Sequence, residues 1–150
     1  MGKYVIVCIL EAEFPQEFQY VDWPSHTTLL RPFTTDTSSQ KLAETLQSIC
    51  EQHHALTTEG KSRELFGPAS DVPVIELVNT PELQKLHDDI RTAYIQEIEF
   101  TAPQYPDFRP HVTENNGKGV EVGESVKISS LSLVELTLES HNVLNTFLLQ

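Results

Sequence analysis

Two short patterns in this sequence pair an imidazole with a hydroxyl at the same spacing: His26-Thr27-Thr28 and His111-Val112-Thr113. On an extended strand, side chains two positions apart project from one face, about 6.5 to 7 Å apart along the chain. Each pattern therefore presents a ring and a hydroxyl side by side. Brought together, the four groups suit a single phosphate. Each threonine can donate a hydrogen bond to a non-bridging oxygen. Two imidazoles with an ordinary pKa near 6.5 can divide the work of base and acid. Composition alone would yield roughly 0.6 His-x-Thr triplets, so a pair of them is only a mild excess. Their surroundings carry more weight. Each follows a proline within two residues (Pro24, Pro110) and an aromatic residue three positions earlier (Trp23, Phe108), and one lies in each half of the chain.

The elements that must position these groups can be read from patterning. Tyr4 to Leu10 is an apolar run rich in β-branched residues, which predicts a strand buried on both faces. His26 to Phe33 is a second strand. The cluster Thr34 to Ser39 supplies helix caps, and Leu42, Leu46, Ile49 and Cys50 follow at the spacing of one helix face, ending near His53-His54. Ala55 to Gly67 has little periodicity and reads as a loop holding a strand, whereas Pro73 to Val78 is a clear strand. Thr80 and Pro81 open a long second helix whose apolar side runs from Leu83 through Ile98. The prolines of residues 101 to 108 predict a loop, then Arg109 to Glu114 a short strand. Turns follow at residues 115 to 119 and at Gly123. Val126 to Glu139 and Val143 to Leu149 close the chain as two strands.

Composition limits the partners. The chain has 150 residues, enough for one domain with a sizeable core, and a formal charge of −12. So acidic a chain lacks the cations of an extended nucleic-acid binder, and docking on an anionic membrane is equally disfavoured. A small phosphorylated ligand or a single RNA end remains compatible. No stretch has the roughly 18 to 20 apolar residues of a spanning helix, and the N-terminal run reads as a core strand instead of a signal peptide. Cys8 and Cys50 read as small buried hydrophobes, which makes a reducing cytoplasm the default location.

With these residues in view, the sequence resembles the two-histidine (2H) phosphoesterase superfamily, in the branch of 2′-5′ RNA ligase-like proteins and cyclic phosphodiesterases. The resemblance rests on Trp23-Pro24-Ser25-His26-Thr27-Thr28-Leu29 and Phe108-Arg109-Pro110-His111-Val112-Thr113, and on the closing apolar strands. It implies an α+β fold forming a single bilobal domain over residues 1–150: two pseudo-symmetric lobes of antiparallel sheet, each backed by a helix, around a central cleft. It further implies catalysis without a metal or other cofactor on 2′,3′-cyclic phosphate ends, 2′-5′ linkages or related cyclic phosphates. His26 and His111 would be the acid and base, and Thr28 and Thr113 the phosphate ligands. A monomer is sufficient for a cleft between lobes of one chain. One departure is plain. Five residues after the second histidine, where that branch often carries a basic side chain, stands Asn116. The first motif has Arg31 at that offset, on the wrong strand face unless a bulge intervenes. Arg109 is the other candidate cation for the phosphate.

Blander readings compete with several of these. Trp23 and Tyr105 are either core anchors or platforms on which a base stacks. His53-His54 and His87-Asp88-Asp89 have the residue types of metal ligands, but they fit ordinary helix-end and surface positions better. Glu11, Glu13 and Glu17 read as a solvated face. Two functional alternatives keep the same chain: a non-catalytic module binding a nucleotide monophosphate, and an acidic protein-interaction domain with a vestigial cleft.

Overall fold

The computed structural model describes residues 1–102 and 107–150, so Tyr105 lies outside the described residues. The N-terminal apolar run forms β1 (Gly2–Ile9), buried from Tyr4 onward. Seven further strands build the main sheet with it: β3 (His26–Thr35), β4 (Leu56–Phe66), β5 (Val72–Leu77), β7 (His111–Thr113), β8 (Ser125–Ile128), β9 (Ser130–Leu136) and β10 (His141–Leu148). The two-residue strands β2 (Glu17–Phe18) and β6 (Glu99–Phe100) flank β10 and β3. Neighbours follow the order β2-β10-β9-β1-β3-β7-β5-β4-β8, with β6 beside β3, and these strand pairs are antiparallel.

Two helices cover one face of this sheet. Helix α1 (Ser39–Glu51) packs on β9 and β10, and α2 (Pro81–Tyr94) packs on β3 and on α1. Ser38 and Thr80 cap them by accepting hydrogen bonds from the amides of Lys41 and Leu83, each at 3.2 Å, and each cap is worth about 1 kcal/mol. The helix face buries Leu42, Leu46, Leu83, Leu86 and Ile90 against Ile6, Cys8, Leu29, Ile75 and Val112. The opposite face, termed the open face below, carries a smaller cluster of Val5, Val7, Ile9, Phe18, Val134 and Val143. Both cysteines are buried free thiols. Among the described residues no helix is long and apolar enough to cross a membrane.

Several elements differ from the sequence expectation. Residues 56–66 form one long strand whose sparse apolar content reflects its position near the sheet edge, between β5 and the terminal strand β8. Val126 to Glu139 is two strands broken at Ser129: β8 pairs with β4, whereas β9 pairs with β1 and β10. Helix α2 stops at Tyr94, not near Ile98. There the Tyr94 hydroxyl donates to the Leu42 carbonyl at 2.6 Å, and Thr35 Oγ1 donates to the Glu97 carbonyl at 2.6 Å. Those contacts turn the chain so that Glu99 and Phe100 can pair with Thr34 and Phe33. The strands β2 and β6 themselves are too short to have a sequence period.

Candidate active site

The two His-x-Thr segments lie on neighbouring antiparallel strands. Thr27 of β3 is the register partner of Val112 of β7, and both are buried, at 1% and 0% exposure. Val112 packs in the helix-face core, so the residues on either side of this pair turn to the open face. Antiparallel register then sets His26 across from Thr113 and Thr28 across from His111. The four groups form a crosswise array, each ring opposite the other motif's hydroxyl. Among the described residues, neither threonine hydroxyl is taken by another protein group.

The histidines are tethered alike. His26 Nδ1 lies 2.8 Å from the Pro24 carbonyl, and His111 Nδ1 lies 2.8 Å from the Arg109 carbonyl. A carbonyl can only accept, so each Nδ1 carries the hydrogen and each Nε2 lone pair is left for chemistry. Burial pushes both imidazoles below the ordinary histidine value, while the carbonyl contacts act the other way. The charge of His111 further lowers His26, which places the rings within electrostatic reach of one another. Two rings tied at Nδ1, with charges that oppose one another, are suited to paired proton transfer.

Arg31 reaches the open face through irregular register. Val7 pairs with Thr28 but Ile6 pairs with Leu30, and Tyr4 pairs with Phe33. Leu29 and Leu30 both turn to the helix core, at 1% exposure each, Arg31 and Pro32 are both half-buried, and burial then returns to the odd positions at Phe33 and Thr35. Arg31 and Pro32 consequently fall in the half-buried series with His26 and Thr28. A proline is tolerated at such a bulge because no ladder hydrogen bond needs its missing N–H.

Arg109 is placed differently. Its guanidinium forks onto Glu76, with Nε 3.0 Å from Oε2 and Nη2 2.7 Å from Oε1, and lies 4.6 Å over the Phe66 ring. Trp23 packs at 4.2 Å between ring centroids on His26 and at 4.8 Å on Phe18, as part of the open-face cluster. Glu114 points away from the array and pairs with Arg63 at 2.6 Å. Glu11 is no mere solvated acid. It accepts from the Ser25 amide at 2.6 Å and pairs with Lys118 at 3.3 Å.

Three further residues adjoin the array, none of them read as a site residue from the sequence. Glu76 is the register partner of His111 and is 9% exposed. Its signal in the sequence was present: one acid in an otherwise apolar strand, Pro73-Val74-Ile75-Glu76-Leu77. Asn115 and Asn116 donate to the carbonyls of Trp23 and Val21, at 3.3 and 2.8 Å, and so tie the turn after the second motif to the loop before the first. Those bonds come from residues far apart in sequence, and no local pattern announces them. The helix histidines are accounted for elsewhere: His53 pairs with Asp89 at 2.8 Å, and His87 contacts the Leu29 carbonyl and stacks on Phe108. Among the described residues no group of three or more His, Cys, Asp or Glu side chains is arranged to hold a metal ion. A groove of about 470 Å³ is lined by Ile9, Phe14, Ser130, Thr146 and Leu148 and includes none of the four array residues.

Comparison with known proteins bears on the family and the fold. Residues 9–127, well over half of the chain, match the family model of the 2′-5′ RNA ligase superfamily. No curated protein sequence matches the chain. Among solved structures, a crystal structure described as a phosphoesterase is similar at a TM-score of 0.64 and 13% identity, over 100% of this chain and 99% of that one. E. coli LigT complexed with 3′-AMP is similar at 0.61 and 15%, covering 99% and 98%. TT0787 of Thermus thermophilus follows at 0.63 and 14%, covering 98% and 97%. At these identities the likeness is one of fold.

Proposed function

Because the chain belongs to the 2′-5′ RNA ligase superfamily of 2H phosphoesterases, we propose that it hydrolyses 2′,3′-cyclic phosphates of nucleotides or RNA ends by two-histidine acid and base catalysis. The observation that carries this reading is the crosswise array: two imidazoles, each with Nδ1 tied to the carbonyl two residues back, facing two unclaimed threonine hydroxyls. Water attacks phosphorus while one neutral Nε2 takes its proton. The bond from phosphorus to one ribose oxygen breaks, and the other imidazole, protonated, returns a proton to that oxygen. The product is a phosphomonoester. Thr28 and Thr113 donate to the phosphoryl oxygens as charge grows on them, with Arg31 as the cation. Arg109, already bound to Glu76, acts in this reading through its neighbours.

The formal charge of −12, with too few cations for an extended phosphate backbone, supports a small substrate or a single RNA end. LigT in complex with 3′-AMP gives the same fold a nucleotide ligand, which supports nucleotide binding here. The deciding experiment is hydrolysis of 2′,3′-cyclic nucleotides in the presence of a chelator, with His26→Ala and His111→Ala as controls. Turnover that falls by about two orders of magnitude or more in each variant supports the reading. Nucleotide binding without turnover, lost in Thr28→Ala or Thr113→Ala, would replace it with the non-catalytic binding module.

A further inference from the structure

The two histidines share a backbone tether but not a neighbourhood. On β1 the register partner of His26 is Ile9, and its ring lies against Trp23. The charged group that bears on it is His111. On β5 the register partner of His111 is Glu76, an acid whose side chain is 11% exposed. Arg109 clamps that carboxylate with two hydrogen bonds, and its own backbone carbonyl receives His111 Nδ1–H. One residue thus fixes both members of the pair.

The charges around this pair do not cancel at His111. Glu76 is enclosed, so its field reaches the imidazole through protein, whereas the Arg109 side chain is 50% exposed and screened by water. Of the groups facing His111, Glu76 favours its protonated form, and Arg109 and His26 oppose it. Lys61 of β4 also bears on Glu76, and Glu64 and Asp107 bear on Arg109. Among the described residues, His26 is influenced by its burial, by the Pro24 carbonyl and by His111.

Resting on the hydrolase reading above, the geometry points to Glu76 as a positioning residue that draws the one proton shared by the two imidazoles to His111. His111 Nε2–H is then the acid that protonates the departing ribose oxygen, and His26 Nε2 is the base that takes the proton from water. After each turnover the protons have changed places, and exchange with solvent restores them.

The test compares wild type, Glu76→Gln and Arg109→Met in two measurements: the pH profile of kcat/KM on a 2′,3′-cyclic nucleotide, and NMR titration of the His26 and His111 imidazoles without ligand. Glu76→Gln should move the basic limb and the His111 titration down by about one pH unit, with His26 moved much less. Arg109→Met, which leaves the acid and removes the cation, should move them the other way. A purely structural role would lower kcat in both variants without opposite shifts, and that result overturns the proposal. So does a His26 titration that moves as much as that of His111. Absence of turnover in wild type sinks the hydrolase reading, whereas turnover with an unmoved limb sinks only the role of Glu76.

Discussion

Thr27 and Val112, one from each motif, face each other across the β3–β7 seam with their side chains in the helix-side core. This buried contact lies at the centre of the array, and the histidines and threonines on either side of it point to the open face as a consequence. The pair is chemically unequal. Among the described residues the Thr27 hydroxyl is buried with no hydrogen-bond partner, a state that costs about 1 to 3 kcal/mol. Thr27→Val keeps the shape and removes that hydroxyl. The variant should melt several degrees higher with kcat/KM on the cyclic nucleotide unchanged. A lower melting temperature would show that Thr27 has a polar partner in solution.

The hydroxyls of Thr28 and Thr113 should matter to the rate and little to the fold, since both lie half-exposed on the open face. Hydrogen bonds to a charged oxygen are worth about 1.5 to 3 kcal/mol each, so Thr28→Val or Thr113→Val should reduce kcat/KM by roughly ten- to hundredfold. Steady-state kinetics beside a thermal melt separates this from a general loss of structure.

For Arg31 the expectation falls on affinity. Arg31→Met retains the stem that packs and removes the charge. KM for the cyclic nucleotide should rise by at least about tenfold, and added salt should weaken wild-type binding more than that of the variant. Equal salt dependence in the two proteins would place the guanidinium away from the phosphate.

Acid should destabilise this protein well before its carboxylates titrate. Burial lowers the pKa of His26, His87, His111 and His141 in the folded chain. Below the unfolded value near 6.5 the unfolded chain therefore binds more protons than the folded one, and stability falls as pH falls. Melting temperature should climb from pH 5 to about pH 7 and then level off. A flat profile over that interval would contradict the burial of these rings.

Much of this was legible in the sequence. The caps at Ser38 and Thr80, the helix stripes, the buried first strand and the two His-x-Thr segments all follow local periodicity, and the helices start where their caps predict. Even the break at Ser129 left a trace: Val126 and Ile128 are buried at even positions and Leu131 and Leu133 at odd ones, a change of phase that one straight strand cannot hold. Partnership was not legible. Periodicity places a side chain on a face but does not say which strand lies alongside. Glu76 beside His111, Asn116 on the Val21 carbonyl and the fork of Arg109 onto Glu76 all depend on strand order. The end of α2 was missed for a similar reason, since Thr35 and Leu42 act on it from distant segments.

The slip at Leu29 and Leu30 has a consequence for anyone who would transplant this chemistry. A three-residue motif moved into a regular strand would keep its imidazole and hydroxyl together but send the sixth residue of the segment into the host's core. In this chain the cation shares a surface with the histidine only because two adjacent leucines are both spent on the helix layer. The smallest portable unit therefore runs from His26 through Phe33, and its recipient needs a helix with space for both leucines.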